Sequence, residues 1–236
     1  MSISHQILIV GGGAAGLATA TSLRKRNASL DIAIVEPADK HYYQPGWTMV
    51  GAGVFNKYET SRDMSSVWPV GVKRIKSEVV AFDPDQNNVT LKDGAIVSYT
   101  TLIVTPGLKL DWDAIEGLNE TLGQNGVTSN YRYDLAPYTW ELVKEMAGKI
   151  AIFTQPSMPI KCAGAPQKAM YLSCDHWMKT GRLKDMNVSF CNAGPVLFGC
   201  APYVPPLMKY VDKYGINLDF GHNLVKIDGP AKTAWF

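Results

Sequence analysis

Gln6-Ile7-Leu8-Ile9-Val10-Gly11-Gly12-Gly13-Ala14-Ala15-Gly16 decides the fold of this chain: five residues of strand type run directly into glycines spaced G-x-G-x-x-G. That order, strand then glycines then helix, is the fingerprint of a dinucleotide-binding βαβ unit. Gly11 permits the tight turn, Gly13 lets the backbone approach a pyrophosphate, and Gly16 lets the next helix pack closely on the strand. Amides at the helix start, where Gly12, Ala14 and Ala15 stand, and the helix dipole then hold phosphates. The helix carries Leu17, Ala18, Ala20 and Leu23 on one face, ends near Arg24-Lys25-Arg26, and is followed by a second strand, Asp31-Ile32-Ala33-Ile34-Val35, closed by Glu36. An acid there accepts hydrogen bonds from both ribose hydroxyls and repels a 2′-phosphate, which disfavours NADP and leaves FAD and NAD.

The sequence beyond Glu36 separates those two. A compact NAD domain continues promptly into another helix and strand, whereas this chain inserts His41-Tyr42-Tyr43-Gln44-Pro45-Gly46-Trp47 and a glycine-containing segment to Gly53. Short strands are then expected at Glu78–Phe82, Asn88–Leu91 and Ile96–Tyr99, with Asp83–Asn87 and Lys92–Gly94 as turns. This meander leads to a buried strand, Thr101–Val104, stopping at Thr105-Pro106-Gly107, a turn that resembles the Ala-Thr-Gly motif of two-dinucleotide flavoproteins. FAD is the better reading.

Composition bounds the function classes. The 236 residues are 46% hydrophobic and 19% charged with a formal net charge of +2, enough for a sizeable core and without the basic excess of a nucleic-acid binder. No apolar run reaches the roughly 18 to 20 residues of a membrane span, and the N-terminus enters the first strand with no sign of a signal or transit peptide. The four cysteines, Cys162, Cys174, Cys191 and Cys200, lie 12, 17 and 9 positions apart, which matches no zinc template and no disulfide scaffold. The histidines show no ligand spacing either, so no metal site is expected.

Past a loop-rich connector and a helix from about Asp134, a second α/β start is expected: strand Lys149–Thr154, helix Ala165–Lys179, strand Asn187–Asn192, helix Pro202–Tyr214, then strands at Ile216–Phe220 and Asn223–Ile227. A site for NADH would carry a second glycine fingerprint after the strand. The chain reads Gln155-Pro156-Ser157-Met158-Pro159-Ile160-Lys161-Cys162-Ala163-Gly164-Ala165-Pro166 instead, and three prolines without G-x-G-x-x-G make a poor pyrophosphate cradle. Cys162, beside Lys161, just before a helix N-terminus and with Lys168 one turn in, stands where a thiolate is favoured over a thiol. Cys174 and Cys191 fall on a helix and in a strand, where core packing is expected. The residue pattern leaves Cys200 undecided.

Gly11–Gly16, Val35-Glu36-Pro37, His41–Pro45, Gly51-Ala52-Gly53 and above all Lys161-Cys162-Ala163-Gly164-Ala165-Pro166-Gln167-Lys168 with Met170-Tyr171-Leu172 together resemble sulfide:quinone oxidoreductases of the mitochondrial type, within the flavin disulfide reductase superfamily. The resemblance covers essentially the whole chain. It implies an α/β fold of two Rossmann-like (FAD/NAD(P)-binding) domains, 1–108 for FAD and 109–236 with the redox cysteine, the second incomplete because family members are nearly twice as long. It also implies that Gly12 and Gly13 approach the FAD pyrophosphate, Glu36 binds the adenosine ribose, Gln44 contacts the cofactor, Val79 meets the adenine through its backbone, and Cys162 forms a persulfide.

The implied chemistry starts when hydrosulfide attacks a disulfide or trisulfide joining Cys162 to a second cysteine. Two electrons pass to FAD and then to a membrane quinone, and the sulfane sulfur goes to an acceptor such as glutathione or sulfite. Peripheral membrane contact is expected only through the absent C-terminal half, and this chain alone is expected to be soluble and cytoplasmic. Two other classes stay open: another FAD-dependent pyridine-nucleotide or quinone oxidoreductase, and an inactive FAD-binding fragment.

Overall fold

The structure, a computed structural model, describes residues 3–236. The first half of the chain forms β1 (Ile3–Val10), α1 (Ala14–Arg26), β2 (Ile32–Val35), β3 (Lys40–Tyr42), α2 (Trp47–Gly51), β4 (Ser61–Asp63), α3 (Met64–Val67), β5 (Lys73–Ile75), β6 (Val79–Asp83), β7 (Asn88–Leu91) and β8 (Ile96–Val104). The second half forms α4 (Leu118–Thr121), α5 (Ala136–Glu145), β9 (Ile150–Gln155), α6 (Gly164–Lys179), β10 (Asn187–Asn192), α7 (Val204–Tyr214), β11 (Asn217–Phe220), β12 (Lys226–Asp228) and β13 (Thr233–Trp235). Two compact units result, one made of the chain up to Tyr43 with Tyr58–Leu110, the other of Gln44–Lys57 with Asp111–Phe236. The segment Gln44–Lys57, which a division at 108/109 assigns to the first unit, clusters with the second.

In the first unit a six-stranded sheet runs in the order β5-β2-β1-β8-β7-β6. Its strands β5, β2, β1 and β8 are parallel, and β7 and β6 continue antiparallel. All of β2 and the last four residues of β1 are buried, as a sheet covered on both faces requires. Alternation divides them: Ile7, Ile9, Ile32 and Ile34 pack with Leu17 and Ala20 of α1, while Leu8, Ala33 and Val35 pack with Val89, Leu91, Val97 and Tyr99. Ile96–Tyr99 and Thr101–Val104, two strands by sequence, are one strand. Its start pairs antiparallel with β7 (Asn88 opposite Ser98), and nearly its whole length pairs parallel with β1, from Val97 opposite Ile3 to Val104 opposite Val10. Because Val10 is level with both Val35 and Val104, the residues that follow, Gly11, Glu36 and Thr105, emerge together at the carboxyl edge. That edge is where open α/β sheets bind ligands.

The second unit repeats the plan on a smaller scale, with parallel strands ordered β11-β10-β9. Its core joins Ala151, Val188 and Phe190 of the sheet to Met170, Cys174 and Trp177 of α6 and to Val211 and Tyr214 of α7. Trp177 is fully buried and its indole Nε1 donates to the Val143 carbonyl at 2.8 Å, so the one polar atom of this large side chain is paired. A β12–β13 hairpin bridges to Glu116.

Gln44–Lys57 belongs here because α2 lies against α5, and the glycines at and just beyond the end of α2 meet the segment that leads into α5 and α5 itself. A Cβ on Gly51 would stand 2.2 Å from Oδ1 of Asn130, and one on Gly53, whose φ is +73°, would stand 2.3 Å from the Trp140 ring. The Gly51-Ala52-Gly53 stretch thus seats the 130–140 segment. Among the described residues no helix is long and apolar enough to cross a membrane.

Candidate functional site

At the carboxyl edge of the first unit the backbone is drawn tight around the glycines. Gly11 has φ +98°, and a Cβ on it would lie 2.2 Å from the Thr105 carbonyl oxygen; one on Gly16 would lie 1.9 Å from the Gly11 carbonyl oxygen. Any side chain at either place displaces backbone. Thr105 closes the turn from the other side, its Oγ1 within 3.0 Å of the carbonyl oxygens of both Val10 and Gly11 and its N–H donating to Val10 at 2.7 Å. Gly12 is buried against Glu36, whose Cβ and Cγ would be 2.8 Å from an added Cβ.

Glu36 is held at both carboxylate oxygens. Oε2 accepts from the Gly12 N–H and Oε1 from the Ala38 N–H, each at 2.7 Å. Such charge-assisted bonds fix a carboxylate firmly.

Gly13 differs from its neighbours. Nothing lies within 4 Å of the place its Cβ would occupy, and Gly13, Ala14 and Ala15 are exposed. Gly13 is the N-cap of α1, so the first turn has no side-chain cap and contains no acidic residue. Free amides, a positive helix end and open space for phosphate oxygens are what a pyrophosphate needs, with a fixed acid beside them for a ribose. These residues fit the adenosine diphosphate part of FAD. Val79 begins the edge strand β6 and packs against the cluster containing Val35, the residue that leads into Glu36.

The second unit presents a thiol at the corresponding edge. After β9 ends at Gln155, the chain runs through Cys162, which is exposed and unpaired, into α6. Cys162 has φ +64°. A non-glycine residue in the left-handed region costs about 1–2 kcal/mol, and such outliers persist where surrounding contacts impose them. Here the contacts are plain. The Cys162 carbonyl accepts from the Ala165 N–H at 2.9 Å, and the hydroxyl of Tyr131 donates to the Lys161 carbonyl. Lys161 Nζ bonds to Gln44 Oε1 and lies 5.7 Å from the centroid of the Tyr131 ring. The Tyr131 phenol is pushed above its ordinary value by burial and, second, by its proximity to Cys162.

Gln44 and Cys162 are therefore parts of one cluster within the second unit, with the Gln44 amide oxygen engaged by Lys161. Gly11–Gly16, Glu36 and Val79 belong to the first unit. Tyr131 escaped the sequence reading, although Lys161, the residue it holds, did not; a tyrosine in a loop 30 positions away carries no local signal of that pairing.

The remaining cysteines divide by environment. Cys174 is fully buried, which pushes its thiol up to about 12. Cys191 is buried on β10 with its Sγ 3.9 Å from Asp219, and burial first, then the Asp219 carboxylate, raises its thiol too. Neither is suited to nucleophilic work at neutral pH. Cys200 is exposed at the start of the Ala201–Tyr203 turn.

Comparison with known proteins gives the family. The family model for pyridine nucleotide-disulphide oxidoreductases matches residues 5–141. The chain is 44% identical over 233 residues to the mitochondrial sulfide:quinone oxidoreductase of Dictyostelium discoideum and 36% identical over 232 residues to that of Mus musculus, in each case across 98% of this chain and 52% of the relative. It spans about half the length of these curated relatives. The sulfide:quinone oxidoreductase structure from Aquifex aeolicus superposes with a TM-score of 0.76 at 21% identity, over 95% of this chain and 52% of that one. With a dinucleotide turn in one α/β unit and an exposed cysteine turn in the other, the chain belongs to the pyridine nucleotide-disulphide oxidoreductase family.

Proposed function

We propose that this chain carries the FAD and sulfur-handling parts of a sulfide:quinone oxidoreductase, an enzyme that oxidises hydrogen sulfide and delivers the electrons to a quinone. The observation that carries the reading is Cys162: an exposed thiol on a left-handed turn stands at the strand-to-helix edge where a pyridine-nucleotide site would have glycines. Similarity across 98% of the chain to relatives of that name supports it.

Gly12, Gly13, Ala14, Ala15 and Gly16 would bind the pyrophosphate through backbone amides, Glu36 the adenosine ribose, and Val79 the adenine. Gln44 acts on the sulfur side, through Lys161, and its further contact with cofactor is part of the proposal. FAD, when bound, supplies a two-electron acceptor that can pass those electrons on to quinone. Hydrosulfide would attack the Cys162 sulfur of a disulfide formed with a second cysteine; that S–S bond would break, the partner sulfur would leave as a thiolate, and the new S–S bond would leave Cys162 as a persulfide. The sulfane sulfur would then pass to a nucleophilic acceptor, glutathione or sulfite in class, leaving Cys162 and its partner as two thiols whose re-oxidation to the disulfide would release the two electrons that FAD accepts. A lipid-soluble quinone implies work at a membrane surface, with the protein attached peripherally.

The chain purified with its flavin gives the test. Sulfide should bleach the visible flavin band and NADH should not. A preparation that binds no flavin, or one bleached by NADH alone, overturns the reading.

A further inference from the structure

The turn that bears Cys162 is held by a side chain outside the dinucleotide fingerprint and the cysteine motif. The torsion φ of Cys162 is set by the plane of the peptide that begins at the Lys161 carbonyl. Fixing that carbonyl therefore fixes whether Cys162 stays left-handed, a conformation it would leave if free. The Tyr131 hydroxyl bonds to this oxygen. From the other side, the Lys161 ammonium is held by Gln44 Oε1 and lies against the Tyr131 ring, 5.7 Å from its centroid, a cation over an aromatic face.

Tyr131 itself is anchored. Its N–H donates to Ser129 Oγ at 3.1 Å, and its neighbour Asn130 fits against Gly51 with no room for a Cβ there. Gln44 and Gly51 lie on one continuous segment whose α2 packs with α5, so the same short stretch seats Asn130, the neighbour of Tyr131, and bonds to Lys161.

We propose that Tyr131 is a positioning residue for Cys162: its hydroxyl, with Lys161 clasped between its ring and Gln44, holds the Lys161–Cys162 peptide so that the thiol stays presented on a left-handed turn. The raised phenol of Tyr131, with Cys162 as its second cause, accords with that proximity. The inference rests on the sulfur role given to Cys162 above, and it is tested without sulfide turnover.

In the full chain, Tyr131→Phe keeps the ring and removes only the hydroxyl, while 4-aminophenylalanine at the same position restores an N–H donor. The readout is the rate at which iodoacetamide alkylates Cys162, resolved by peptide mass spectrometry, with exposed Cys200 as the internal reference. Loss of one hydrogen bond predicts a roughly fivefold slower Cys162 reaction in Tyr131→Phe, an unchanged Cys200 rate, and recovery with 4-aminophenylalanine. Equal Cys162 rates in wild type and Tyr131→Phe, or a parallel change at both cysteines, overturns the proposal. If Tyr131→Phe does not fold, Gln44→Leu takes its place; it releases Lys161 and should slow Cys162 selectively by a smaller factor, and no selective change refutes the brace. A chain in which the brace behaves as stated but sulfide never bleaches flavin would retire the functional reading and leave the brace standing.

Discussion

The two α/β units meet the same problem, a parallel strand turning into a helix, with opposite chemistry. In the first, residues 11–13 make the connection, and its left-handed position is Gly11, where that conformation costs nothing. In the second, residues 156–163 make it, and the left-handed position is Cys162, where it is costly and must be held by Tyr131, Lys161 and Gln44. One turn offers bare amides to an anion; the other offers a thiol. A glycine turn adopts its left-handed position without strain, whereas a cysteine turn needs side chains to hold that position, and those supports make it a chemical site.

The largest effect should come from Cys162→Ser against Cys191→Ser. Sulfide-dependent flavin reduction falls to background in the first and stays close to wild type in the second, followed by stopped-flow absorbance; equal losses would erase the distinction between an exposed turn cysteine and a buried strand cysteine.

Next in size is the comparison within the glycine turn. Gly11→Ala meets the Thr105 carbonyl and an unfavourable φ, and should cost roughly 2–4 kcal/mol in denaturant unfolding. Gly13→Ala enters open space and should leave stability within about 0.5 kcal/mol while weakening flavin binding on the order of tenfold, measured by flavin fluorescence titration. Loss of stability at Gly13 would mean that the space is structural.

The last comparison concerns pH, and near neutrality it is silent. Cys174 has an ordinary value of 9.0 and is pushed up to about 12 when folded, so the unfolded chain loses its proton first. The stability from the buried neutral thiol is complete below about pH 9 and declines as pH rises from there toward the folded value, by up to about 1.4 kcal/mol per unit. Tyr171, raised from 10.0 to about 12 by burial and then by Cys174, adds a similar decline that starts higher. Cys174→Ala should flatten the urea midpoint just above pH 9 and leave the later fall.

What the sequence made legible was local. Glycine spacing, apolar alternation and a terminal acid identified β1, α1, β2 and Glu36, and the proline-rich turn singled out Cys162. Pairings between distant residues were not legible: Lys161 and Gln44 are 117 positions apart, and nothing near either names the other. The fusion of Ile96–Tyr99 and Thr101–Val104 into β8 was hidden for a related reason. Its first residues alternate with buried Val97 and Tyr99 while its later residues do not alternate, so the periodicity changes within one strand. The φ of Cys162 had no signal at all, because only glycine and asparagine advertise left-handed positions.

The bonds from Thr105 to Val10 and Gly11 span 95 and 94 positions, and this sets an order in time. On a ribosome, which releases a chain from its N-terminus, the glycine turn emerges well before Thr105, and it stays unlatched until residue 105 has followed. The helix that follows Gly13 can coil early, but the site it serves is assembled by a threonine that arrives after β8 has zipped along β1.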